Sequence, residues 1–216
     1  MTQDKRRHVD YQRRYFDQHC DVFRQAIPEE VEERTRLIVE SAALSSESRV
    51  VDVGTGMGVL VKFFLQAGVS PNNIIGVDLS DRMLEEARKR YPDVNFVQAD
   101  FAEFAGDPAG YDAVFFNACF GNIFDQDKAI IVATHLLAAG GRIVISHPLG
   151  NEFVQQLKDS DPHLVLTLMP DRKKLEQWCH RFPLSLQTYR DEPQFYLAIL
   201  QKNPPMPRDQ DKRNIN

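Results

Sequence analysis

Cysteine is scarce in this chain of 216 residues: Cys20, Cys119 and Cys179 stand far apart, and no two form a Cys-X-X-Cys pair. An odd, scattered set argues against a disulfide framework and fits a reducing compartment. No cysteine–histidine spacing resembles a structural zinc site, so no metal is expected. A surplus of positive charge is missing too: 26 lysines and arginines face 31 acids, a formal net charge of -5. Proteins that track phosphates carry a basic stripe, so nucleic acid is not an expected partner. The clusters Lys5-Arg6-Arg7 and Arg13-Arg14 read as solvated charge on a frayed terminus and a helix face. No apolar stretch approaches the ~20 residues that cross a bilayer. Met1 to Asp10 is polar and lacks the apolar centre of a signal peptide. A cytoplasmic protein is the expectation, with an organellar one left open if a targeting segment has been trimmed. The length suits one domain with a sizeable core.

What is present alternates. Tyr11 to Ile27 mixes aromatics and charges at helical spacing, and Pro28-Glu29-Glu30 reads as a helix start. Then come short apolar runs: Val50–Val53, Ile74–Asp78, Asn95–Val97, Tyr111–Phe116 and Arg142–Ser146. Helical patterns separate most of them, from Val59 to Ala67, after the cap Ser80-Asp81, and from Ile130 to Leu137 with Gly140-Gly141 as its stop. That is the pattern of a parallel sheet covered on both faces. Two helices are expected between Pro148 and Pro183, after Asn151 and after Asp171, with Trp178 and Cys179 in a helix core. Leu184–Arg190 and Phe195–Leu200 lie close enough to be an antiparallel pair.

In open parallel sheets ligands bind at the carboxyl ends of the strands. Here those ends carry Asp52 with Gly54-Thr55-Gly56-Met57-Gly58, then Asp78, Asp100, Asn117 and His147. A dinucleotide fingerprint needs Gly-X-Gly-X-X-Gly, and counted from Gly54 its third glycine falls on Val59. The fingerprint is absent. An acid two residues before the first glycine repels a pyrophosphate and attracts a cation.

Asp52-Val-Gly-Thr-Gly-Met-Gly58 resembles the first motif of class I S-adenosylmethionine-dependent methyltransferases, and Asp78, Asp100 and Tyr111-Asp112-Ala113-Val114 resemble the later ones. The likeness covers about Ser48 to Pro148 and is strongest to small-molecule members. It implies a doubly wound, mostly parallel seven-stranded α/β sheet with an antiparallel last strand. It also implies S-adenosylmethionine as cofactor and a small-molecule methyl acceptor. By resemblance, Asp78 accepts the ribose hydroxyls, Asp100 faces the adenine amino group and Phe101 lies beside the ring. Leu79 and Met83 wall the adenosine. Asp52, Gly54, Thr55, Gly56 and Gly58 hold the methionine portion, with Asn117 near its amino group.

The organisation expected is a helical cap over 1–47, a catalytic domain over 48–202 and a disordered, proline-bearing tail over 203–216. His147 is the candidate general base, weighed against a loop histidine ahead of Pro148. Tyr11, Tyr15 and His19 read as packing residues rather than a lid. Asn117-Ala118-Cys119-Phe120 departs from the signature of amino-group methylation, so oxygen or carbon is the expected acceptor atom, with nitrogen left open. The rivals are an inactive methyltransferase-like scaffold and a nicotinamide-dependent oxidoreductase.

Overall fold

A computed structural model describes residues 2–205. The tail expected from 203 onward lies outside the described residues from 206 to its end.

Two helices precede the sheet: α1 (Gln3–His19), extended by a 3-10 turn over Cys20–Arg24, and α2 (Glu29–Glu40). The alternating section follows as β1 (Val50–Val53), α3 (Val61–Gln66), β2 (Ile74–Asp78), α4 (Asp81–Arg90), β3 (Asn95–Gln98), β4 (Tyr111–Asn117), α5 (Gln126–Leu136) and β5 (Leu137–His147). It closes with α6 (Gly150–Ser160), α7 (Arg172–Arg181), β6 (Leu184–Glu192) and β7 (Phe195–Lys202). The seven strands form one sheet in the order β3-β2-β1-β4-β5-β7-β6. All neighbours pair in parallel except β7, which slots antiparallel between β5 and β6. The order reverses between β1 and β4, and that switch point opens a crevice at the strand tips.

Period-two alternation assigns each strand residue to one of two cores. Val51, Val53, Phe116, Ile143 and Ile145 join the core beneath α5, α6 and α7, together with Trp178 and Tyr196. Val50, Ala113, Phe115 and Val144 join the core beneath α2, α3 and α4. Cap chemistry sets the helix starts. Ser80 Oγ accepts from Met83 N and Asp171 Oδ1 from Lys174 N, as the sequence led one to expect. Trp178 is fully buried and its indole donates to Asp127 Oδ1 at 2.8 Å, tying α7 to the first turn of α5; Cys179 is half-buried.

Two expectations are corrected. The α5 helix ends at Leu136, and Gly140-Gly141 does not stop it: these residues belong to a wide bulge in β5. Tyr111 pairs with Leu137 and Ala113 with Arg142, so the extra residues of β5 loop out, with Gly140 at φ +81°. The amino terminus is not frayed. Arg6 and Arg7 are exposed as expected, but Lys5 is buried, because α1 begins at Gln3 behind a Thr2 cap and lies across the sheet tips. Among the described residues, no helix is long and apolar enough to cross a membrane.

Candidate active site

A cavity of about 560 Å³ occupies the crevice at the β1/β4 switch point. Strand-end residues floor it: Asp52, Gly54, Thr55, Gly56, Asp78, Leu79, Asp100, Phe101 and Asn117, with Met83 from α4. Asp52 lies on a face that is otherwise core and is only 2% exposed. Its Oδ2 accepts from Thr55 Oγ1 at 2.7 Å, which holds the carboxyl in place. Burial, opposed by the Thr55 hydrogen bond and reinforced by the Asp78 charge, pushes its pKa up to about 7. Asp78 is raised as well, by burial, against the pull of backbone donors. Its Oδ2 accepts from Gly56 N at 2.8 Å and its Oδ1 from Ser80 N at 2.9 Å. Each oxygen keeps a further lone pair for a ligand donor.

The glycine turn is shaped by two different needs. Gly54 (φ +65°) passes so close to the β4 exit that an added Cβ would stand 2.6 Å from Cys119 Cβ. At Gly56 (φ +54°) an added Cβ would meet nothing within 4 Å, so the backbone there borders open space. A Gly54→Ala substitution therefore combines left-handed strain of about 1–2 kcal/mol with overpacking of about 1–3 kcal/mol. We expect its urea midpoint to fall accordingly, with the Gly54→Ala, Cys119→Gly double variant recovering only the packing share. Equal midpoints for the two variants would remove Cys119 as the cause.

Asp100 does two jobs. Its Oδ1 accepts from Ala102 N and so caps the turn after β3, while Oδ2 is buried and faces Lys5. Lys5 Nζ forms an ion pair with that oxygen at 2.8 Å and donates to Glu103 Oε1 at 2.9 Å. Burial works against the Lys5 ammonium, yet the two carboxylates hold its pKa above the ordinary value.

Two predicted site residues are not brought to the cavity. Gly58 faces Tyr91, whose ring lies 3.0 Å from where a Cβ would be, so it serves helix packing instead. His147 continues the Ile143–Ile145 side of β5 and turns toward α6, with its ring 5.6 Å from Phe153. Its Nδ1 accepts from Leu149 N at 3.2 Å, and the cavity wall beyond β5 is Pro148 and Leu149. Burial lowers its pKa to about 4, so it is neutral at pH 7. The folded value lies below the ordinary 6.5, so unfolded chains take the proton first as pH falls. Stability from this group is complete above pH 6.5 and drains away toward pH 4, by on the order of 3 kcal/mol. Urea titrations at pH 7 and pH 4.5 should show His147→Gln losing less stability between them than the parent. An equal loss would place the titration elsewhere.

The roof was missed at the sequence level. Lys5, His8, Val9, Gln12 and Phe16 all line the cavity from one face of α1. Their i, i+3, i+4, i+7 spacing was a readable stripe, disguised because Lys5, His8 and Gln12 are polar. His8 Nε2 stands 2.7 Å from Asn122 O, and Gln12 Nε2 donates to the same carbonyl and to Leu164 O. Tyr11 instead donates to Asp161 Oδ2, and Tyr15 stacks on His19, so these three pack outside the cavity. Among the described residues, no group of three or more histidine, cysteine or acidic side chains could hold a metal.

A doubly wound sheet with β7 reversed, whose switch-point cavity carries acids at three strand tips, defines a class I methyltransferase. The comparisons agree. The chain belongs to the methyltransferase domain family, whose model matches residues 44–203, and its cofactor is S-adenosylmethionine. It is 25% identical over 179 residues to demethylmenaquinone methyltransferase of Renibacterium salmoninarum, covering 72% of this chain and 74% of that one. It is 37% identical over 124 residues to trans-aconitate 2-methyltransferase of Rhodopseudomonas palustris, covering 54% of this chain. The match spans 46% of that longer relative. Among solved structures, the complex between the Haloferax volcanii Trm112 methyltransferase activator and a methyltransferase contains a similar fold. That chain superposes at TM-score 0.72 with 16% identity, covering 91% of this chain and all of that one.

Proposed function

We propose that this protein transfers a methyl group from S-adenosylmethionine to an oxygen or carbon of a small-molecule acceptor, with 1–47 acting as a helical cap on a 48–202 catalytic domain. The observation that carries this reading is the meeting of Asp52, Asp78 and Asp100 in one cavity whose single lysine among the described residues, Lys5, is already engaged by carboxylates. Such a lining suits a cationic nucleoside without phosphate. When bound, that cofactor supplies an electrophilic methyl carbon on a sulfonium.

The residues divide the work. Asp78 offers its spare lone pairs to the ribose hydroxyls, while its bonds to Gly56 N and Ser80 N hold the glycine turn against α4. Asp100 Oδ2, which pairs with Lys5 and keeps a further lone pair, is the acceptor for the adenine amino group, and Leu79, Met83 and Phe101 pack the adenosine. Asp52, oriented by Thr55, answers the ammonium, and the backbone at Gly54 and Gly56 approaches the methionine chain. Asn117, whose Oδ1 accepts from Ser146 Oγ at 3.0 Å, presents the rest of its amide nearby. The protein's main contribution is then proximity and orientation, worth several kcal/mol of the barrier.

A general base is needed only where the acceptor must lose a proton. His147 sits behind the wall, so we assign that role to His8, which lines the cavity. Its contact to a carbonyl oxygen, which can only accept, places a proton on Nε2 and leaves Nδ1 as an acceptor in the neutral ring.

Calorimetry tests the whole reading. S-adenosylhomocysteine should bind with micromolar or better affinity and NADH should not. Binding of NADH in its place would restore the oxidoreductase, and binding without turnover on a broad nucleophile panel would leave a scaffold.

A further inference from the structure

The cavity lining combines two chemistries. The strand tips supply the acids described above. A hydrogen bond from Arg34 Nη1 to Pro148 O at 3.2 Å joins α2 to the tip of β5. The 3-10 turn after α1, the segment leading into α2 and the first turn of α2 supply Val22, Phe23, Ile27 and Val31, with Leu149 following β5. Three of these are large apolar side chains left in solvent: Val22 is 58% exposed, Phe23 50% and Ile27 38%. Scattered exposed apolar residues are ordinary, but a cluster at the mouth of a cavity marks a binding surface.

Charge narrows the occupant. Among the described residues, the carboxyl groups facing the cavity are Asp52, Asp78, Asp100 and Asp125, and the cationic side chain is Lys5, with no arginine beside it. Lys5 is committed to Asp100 and Glu103, and Asp125 caps α5 through Lys128 N. Among the described lining residues a carboxylate-bearing acceptor would find no uncommitted cation to pair with, and an unpaired charge against an apolar lining acts as selection against it. Size narrows it again. A volume of about 560 Å³ suits roughly one drug-sized ligand, so with the cofactor inside, the body of an acceptor extends across the mouth.

We infer that the methyl acceptor is an uncharged, predominantly apolar molecule whose non-reacting body lies on Val22, Phe23 and Ile27. This rests on the methyl-transfer reading and goes further, because it chooses between the substrate chemistries named by the relatives: an apolar quinone-like acceptor is favoured and a tricarboxylate excluded.

The test is binding to the protein saturated with S-adenosylhomocysteine. The probes are 2-naphthol, its carboxylate counterpart 3-hydroxy-2-naphthoate, and trans-aconitate. We expect 2-naphthol to bind at least about tenfold more tightly than either anion. Phe23→Asp and Ile27→Asp should each weaken 2-naphthol by about tenfold while changing S-adenosylhomocysteine affinity less than about twofold. Equal or tighter binding of the anions overturns the inference, as does absent 2-naphthol binding or indifference to both substitutions. A self-associated parent that becomes monomeric in Phe23→Asp with 2-naphthol affinity intact would assign the patch to a protein contact and overturn it too. Failure of S-adenosylhomocysteine itself to bind is a separate result, and strikes the methyl-transfer reading instead.

Discussion

Asp78→Ala is expected to weaken S-adenosylhomocysteine binding at least about a hundredfold. Two hydrogen bonds to a charged acceptor are worth about 1.5–3 kcal/mol each, so their joint loss is some 3–6 kcal/mol. The substitution also frees Gly56 N and Ser80 N, which the carboxylate now holds. Asp78→Asn separates the two effects. An asparagine keeps one acceptor oxygen for the turn but gives up the charge and one of the ribose partners. Its affinity should fall between the parent and the alanine variant, with a thermal midpoint closer to the parent's. A folded alanine variant with undiminished affinity would end the ribose assignment.

The second large effect concerns Asp52, and it reverses sign with the ligand. Its folded pKa is raised to about 7, so the free protein holds a proton that the unfolded chain gives up near the ordinary value of 3.8. Stability is therefore lost as pH climbs from about 4 to 7, by up to on the order of 4 kcal/mol. Asp52→Asn removes that burden, and the unliganded variant should be the more stable one at pH 8, by a few kcal/mol at most. Cofactor binding demands the opposite. An ammonium opposite Asp52 requires the carboxylate form, so parental affinity should rise about tenfold per pH unit below 7 and level off above it. The same coupling makes the binding heat depend on buffer ionisation enthalpy, because a proton is released. In Asp52→Asn both signatures should vanish and affinity should drop. A flat pH profile in the parent would place the ammonium elsewhere.

Cys119 is a reminder that a reactive atom in a cavity is not thereby a nucleophile. Burial raises its thiol well above its ordinary pKa, with the Asp52 and Asp78 charges adding to the effect, and its Sγ donates to Val53 O. It spaces β4 from the glycine turn.

How much could be read from the chain alone differs by residue. The positions of Asp52, Asp78 and Asp100 were legible because each acid or its turn ends an apolar run, and an open parallel sheet gathers such ends on one edge. The strand set was legible for the same reason of periodicity. The end of α5 was not, since glycines stop helices and form bulges equally well, and only the pairing of Tyr111 with Leu137 decides between them. His147 shows a subtler gap. Its place at the tip of β5 was correct, but which face of the sheet opens on the cavity depends on what packs against each face, a contest between distant segments.

By itself, then, the sequence determined the order of strands and helices, the glycine turn and the acids that make a phosphate-free cation the fitting ligand. These are local properties, written in spacing and residue type. Only the tertiary structure decided that Lys5 reaches Asp100 from 95 positions away, that α1 roofs the cavity, and that β7 enters between β5 and β6. Those contacts join segments far apart in the chain, and burial energy, which depends on how surfaces fit together and leaves no periodic trace, selects among them.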